Sequence, residues 1–239
     1  MSAKTAPSQR DQSTEDSTEP NAYQRSLSLP GPVGRLEALI NQGAPDAPFA
    51  ALICHPHPLG GGNLHNKVVY HAMKTVNAPQ WGFRFPVLRF NFRGTGLSQG
   101  YHDGRAEAAD VLAALDWLEN EYKRPLIAIG FSFGAAMTLQ ACCHHQTRPN
   151  IRALAALGLP TQADGHHYRY PCLQGCTIPK LFLSGGNDQF ASAAQLTQVV
   201  ATAADPKQLV LLPGADHFFT GHLAAMQSTL AAWLKEQCS

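Results

Sequence analysis

Short apolar runs without polar alternation recur along this chain, and stretches of helical periodicity separate them. FAALIC at 49–54 and PLIAIG at 125–130 are apolar throughout, so strands of this kind must be covered on both faces. Strands alternating with helices in this way pack as a mostly parallel sheet with helices on both faces, which is the α/β class. The pattern predicts strands over 35–41, 49–54, 87–92, 125–130, 154–159, 180–184 and 208–212. It predicts helices over 63–76, 105–122, 134–144, 189–204 and 223–237. Ligands of such sheets gather beyond the carboxyl ends of the strands, so residues with chemistry to do must be sought there.

Residues 1–21 are dominated by Ser, Thr, Gln, Pro and charge, with no aromatic or branched aliphatic side chain. Such a segment cannot bury enough surface to offset its ordering entropy, so residues 1–22 are expected to be a disordered tail. Residues 23–239 show no repeat and no second shift of composition, and are expected to form one folded domain. The chain has no apolar stretch near its start to serve as a secretory signal, and no run long enough to span a membrane. With 18 Lys and Arg against 17 Asp and Glu, there is no electrostatic basis for nucleic-acid or anionic-membrane partners. A cytoplasmic monomer or homodimer is the expectation. The six cysteines then read as reduced and mostly buried thiols. Cys172 and Cys176 leave a disulfide open, or a metal site with His166 and His167, but no two-residue Cys spacing supports zinc.

Gly130-Phe131-Ser132-Phe133-Gly134 follows a buried strand directly and opens an Ala-rich helix. A serine in that sharp turn is presented above the sheet, and the glycines let neighbouring backbone pass close by. The bland alternative is a helix cap at a strand exit. A hydroxyl needs a base before it is a useful nucleophile. His217, just past the last strand, is the best placed of eleven histidines. An acid should lie between them to orient the imidazole. Asp188 in Ser184-Gly185-Gly186-Asn187-Asp188 fits, with Asp164 as its rival; Asp205 and Asp216 sit less well. An oxyanion would then rest on the Phe133 N–H and on a donor from the loop 55–63, HPHPLGGGN, for which Leu59 is the expectation. That loop lacks the Gly-Lys-Ser/Thr of a phosphate cradle. His55 and His57 read as packing residues in preference to metal ligands, and Arg93 as an arginine that ties loops together in preference to a substrate anchor.

Together HPHPLGGG, NFRGTGLSQG, GFSFG, SGGND and GADHFF make the chain resemble the α/β-hydrolase superfamily. More narrowly it is similar to small bacterial serine hydrolases related to dienelactone hydrolases and serine esterases. The resemblance implies an eight-stranded, mostly parallel sheet, leaving open whether the first strand is kept, and assigns Ser132, Asp188 and His217 as the triad. It differs from dienelactone hydrolases proper, which carry cysteine where this chain has Ser132. Only 161–179 is left for a cap, so none is expected; His166, His167, Tyr168 and Tyr170 would form at most a lip. The implied activity is cleavage of small carboxylic esters, as in a carboxylesterase, without metal or cofactor. A thioesterase, a peptidase, a metal-dependent hydrolase and a catalytically silent binding domain are the alternatives.

Overall fold

The computed structural model describes residues 24–144, 150–163 and 166–238. The expected tail, apart from its boundary with the first strand, lies outside these residues, as does Asp164. Eight strands form one sheet in the order β1 (Gln24–Gly31), β2 (Gly34–Asn41), β4 (Val87–Phe90), β3 (Ala50–Cys54), β5 (Leu126–Phe131), β6 (Ile151–Leu157), β9 (Lys180–Gly185) and β10 (Lys207–Leu212). From β4 to β10 every pairing is parallel, while β1 and β2 form an antiparallel hairpin docked antiparallel on β4.

The unbroken apolar runs are explained by burial on both sides. Leu52 and Ala128 face a core shared with α2 (Glu107–Tyr122), α3 (Phe133–His144) and α4 (Ala193–Ala201). Their neighbours Ile53 and Ile129 face a second core, built with α1 (Lys67–Asn77) and α5 (Leu223–Gln237). Among the described residues, no helix is long and apolar enough to cross a membrane.

The predicted elements are present, with shifted ends. Helix α1 starts only at Lys67, because the side chain of Asn66 accepts the N–H groups of Val68 and Val69 and caps it there. Helix α4 starts at Ala193, where Ser192 and Gln195 form a capping box that the apolar pattern does not display. Strand β1, which the periodicity did not mark, pairs with β2 over its full length. Among the described residues, only the two-residue strands β7 (Gln162–Ala163) and β8 (His166–His167), paired antiparallel, and a 3-10 turn at Pro171–Gly175 lie between β6 and β9. Among the described residues there is no cap domain.

Strand order reverses at β3: the chain moves outward to β4 and then returns to the other side of β3 as β5. This leaves a crevice at the carboxyl ends of β3 and β5, where the 55–63 loop and Ser132 emerge.

Candidate active site

Strand β5 ends at Phe131 and α3 begins at Phe133, so Ser132 alone makes the turn. Its φ of 56° lies in the left-handed region, at a cost on the order of 1–3 kcal/mol for a residue with a side chain. The turn is held from both sides. Its N–H donates to the Leu157 carbonyl of β6 at 2.9 Å, and its carbonyl accepts the N–H groups of Ala135 and Ala136 at 2.9 and 3.1 Å. The flanking glycines are required by close backbone contact. A Cβ on Gly130 would lie 2.3 Å from the Gly134 carbonyl oxygen, and one on Gly134 would lie 2.4 Å from that of Cys54. Gly134→Ala is therefore expected to lower stability by about 2–3 kcal/mol, seen as a lower urea midpoint with an unchanged slope. An unchanged midpoint would mean that the end of β3 yields freely.

His217 Nε2 lies 2.9 Å from Ser132 Oγ, and His217 Nδ1 lies 2.8 Å from Asp188 Oδ2. The carboxylate accepts a hydrogen bond from the Nδ1–H, which fixes that tautomer and leaves Nε2 to accept the serine hydroxyl. Asp188 is itself fixed: Ser184 Oγ donates to Oδ2 at 2.9 Å, and the Phe190 N–H donates to Oδ1 at 2.8 Å. Both partners are buried, with 1% of His217 and 6% of Asp188 exposed, so water competes little for these bonds. The imidazole packs against the rings of Phe190 and Phe131, at centroid distances of 4.6 and 5.0 Å. It also crowds Gly158, where a Cβ would stand 3.2 Å from His217 Cε1.

Ser132, Asp188 and His217 are thus brought together from the ends of three parallel strands. Asp216 faces elsewhere, its Oδ1 accepting the Thr220 N–H at 2.8 Å, and Asp205 lies 4.0 Å from the Lys207 ammonium. Sequence reading did not single out Ser184, Phe190 or Gly158. Ser184 was legible in principle, since it precedes Asp188 by four residues in the same motif.

The 55–63 loop corrects one expectation. Leu59 donates its N–H to His57 Nδ1 at 3.2 Å, its side chain is 82% exposed, and it does not line the cleft at Ser132. Its 3-10 turn (Pro58–Gly60) engages that donor locally and turns Leu59 away from the cleft. The glycines shape this turn: Gly61 takes a φ of 79°, and a Cβ on Gly62 would lie 2.2 Å from the Pro56 carbonyl oxygen.

His55 is fully buried beneath the loop. Its Nδ1 donates to the Pro56 carbonyl at 2.7 Å, and its Nε2 accepts the Phe92 N–H at 3.0 Å. Burial lowers its pKa to about 4 from an ordinary 6.5, so the native ring stays neutral where the unfolded one binds a proton. The stability it contributes is present above pH 6.5 and lost as pH falls to 4, about 3 kcal/mol in all. Urea midpoints across that range should fall accordingly, and His55→Gln should flatten the dependence. A wild-type profile no steeper than the variant's would remove His55 as the cause.

The Arg93 guanidinium pairs with Asp110 through Nη2 at 2.7 Å and Nε at 3.0 Å, and so ties the 93–98 turn to α2, as expected. Among the described residues, no group of three or more His, Cys, Asp or Glu is placed to hold a metal ion.

Ser132 and His217 open on a cleft of about 140 Å³ that Pro160, Tyr168, Phe190 and Phe218 help to wall. Tyr168 therefore does border the site, whereas Tyr170 is buried and donates its hydroxyl to the Pro160 carbonyl at 2.6 Å.

Comparison with known proteins agrees with this fold. A family model for the alpha/beta hydrolase domain matches residues 62–238. An uncharacterized protein of Rickettsia prowazekii is 39% identical over 198 residues, 79% of each chain. A Xanthomonas campestris structure described as an a/b serine hydrolase without lid superposes with a TM-score of 0.79 at 28% identity, covering 90% of this chain and 95% of that one. A Coxiella burnetii alpha-beta serine hydrolase homologue gives 0.77 at 31% identity, covering 88% and 97%. The family match spans most of the chain and the fold agrees over about nine-tenths of it: this protein belongs to the α/β-hydrolase family.

Proposed function

We propose that this chain is a serine hydrolase that cleaves carboxylic esters with small acyl groups through an acyl-enzyme. The observation that carries the reading is the continuous hydrogen-bonded series from Ser132 through His217 to Asp188, set on a strained turn at the mouth of a cleft. His217 Nε2 takes the hydroxyl proton as Ser132 Oγ attacks the acyl carbon, and Asp188 stabilises the imidazolium that forms. The Phe133 N–H, first in α3 and therefore without an intrahelical acceptor, faces the developing oxyanion. We assign the second donor to the backbone of His57 in place of Leu59. His57 lines the same cleft as Ser132, and its ring lies 5.0 Å from that of Phe133. His217 then protonates the leaving alcohol, which departs. Water deprotonated by the same nitrogen releases the acid.

The cleft is small and walled largely by apolar side chains, which favours short acyl chains. Chromogenic esters from acetate to decanoate provide the test. Turnover should be highest for acetate or butyrate and fall on the order of tenfold or more by decanoate. Chelator should leave the rate unchanged. Preference for a thioester or a peptide over every ester would overturn the assignment of leaving group.

A further inference from the structure

Glu107 is the first residue of α2, and its carboxylate is withdrawn from water beside His102, with side-chain exposures of 0% and 9%. The helix N-terminus favours an anion there, but a buried carboxylate still needs partners within reach. Glu107 Oε1 accepts the N–H groups of Asp103 and Gly104 at 2.8 and 3.3 Å, and His102 Nδ1 stands 2.7 Å from the same oxygen. Asp103 Oδ1 in turn accepts the N–H groups of Arg105 and Ala106 at 2.8 and 2.7 Å, which closes the turn after His102. The imidazole is thereby anchored on α2. Its ring meets two others edge-on. It lies 4.7 Å from that of His57 and 5.3 Å from that of Phe133, and those two are 5.0 Å apart. The triangle joins the 55–63 loop, the start of α3 and the segment before α2.

We propose that His102, held on Glu107, is a positioning residue that sets the separation of the two oxyanion donors. The proposal rests on the reading of the Phe133 N–H and the His57 backbone as those donors. Start of helix α3 aims the Phe133 N–H, whereas the His57 backbone belongs to a loop and its ring packs against both Phe133 and His102. Releasing His102 lets His57 shift relative to Phe133. Donors aimed at an oxyanion lose much of their effect when displaced by about 1 Å. That loss falls on the transition state, because the ground-state carbonyl carries less charge for the same donors to hold.

The test follows hydrolysis of a short-chain chromogenic ester by the wild type, His102→Ala, Glu107→Ala and Glu107→Gln. Rates are taken per site titrated with fluorophosphonate, so that unfolded protein is not counted. His102→Ala and Glu107→Ala should each lower kcat by about 10- to 100-fold with KM within about threefold of wild type. Glu107→Gln keeps an amide oxygen that accepts from His102 and from the loop, so it should retain at least about a third of wild-type kcat. A trifluoromethyl ketone reads the oxyanion site directly. Its carbonyl carbon bonds Ser132 Oγ, the hydroxyl proton passes to His217, and the carbonyl π pair becomes the oxyanion. Its affinity for His102→Ala should fall by the same factor as kcat/KM. The proposal is overturned if His102→Ala keeps wild-type kcat, if its loss lies in KM alone, or if the ketone binds it as tightly as wild type. It is also overturned if Glu107→Gln is as slow as Glu107→Ala. A wild type that neither hydrolyses the ester nor takes up fluorophosphonate would instead overturn the serine-hydrolase reading beneath it.

Discussion

Ser132→Ala should lower ester turnover by roughly 10⁴- to 10⁶-fold while leaving the fold in place. The size of the loss follows from the geometry: His217 Nε2 is held 2.9 Å from the hydroxyl it is to deprotonate. Residual rate would come from the oxyanion donors and from binding alone. Alanine retains the turn's backbone and loses one hydrogen bond, worth about 1 kcal/mol, so Tm should move by only a few degrees. A variant that keeps more than about a tenth of wild-type turnover would place the nucleophile elsewhere. A variant that fails to fold would mean the hydroxyl is structural.

Asp110→Ala should be among the most destabilising single changes in the protein, at about 3–5 kcal/mol. The Arg93–Asp110 pair is buried, with side-chain exposures of 6% and 0%. The carboxylate takes Nε, Nη2 and the Arg93 backbone N–H together. Removing it leaves a guanidinium that cannot lose its proton in a place water does not reach. The double replacement Arg93→Met with Asp110→Leu should recover most of the loss, because no charge is then left buried. Urea unfolding of the wild type and the two variants decides this. Equal losses in the single and double variants would assign the effect to packing.

Much of this architecture can be read in the residues because the strands are buried on two sides. Ala50, Leu52 and Cys54 face one core and Ala51 and Ile53 the other, so FAALIC carries its environment in its composition. Strand β1 is different. Gln24 to Gly31 is mostly exposed, and its pairing with β2 is made by backbone, which leaves little trace in side-chain pattern. The geometry of Ser132, His217 and Asp188 was legible because each motif follows a strand that had already been placed. Leu59 turns away from the cleft for a local reason. A His-Pro-Leu-Gly turn can turn its N–H groups inward, and the His57 ring accepts the one that was expected to face the cleft.

The most direct test of the central claim is the intact mass of the protein after brief exposure to a fluorophosphonate, with Ser132→Ala treated alongside. A hydroxyl activated by His217 and Asp188 should yield a single adduct on the wild type, mapped to Ser132, and none on the variant. A folded wild-type protein that forms no adduct, or an adduct that persists in Ser132→Ala, would contradict the account.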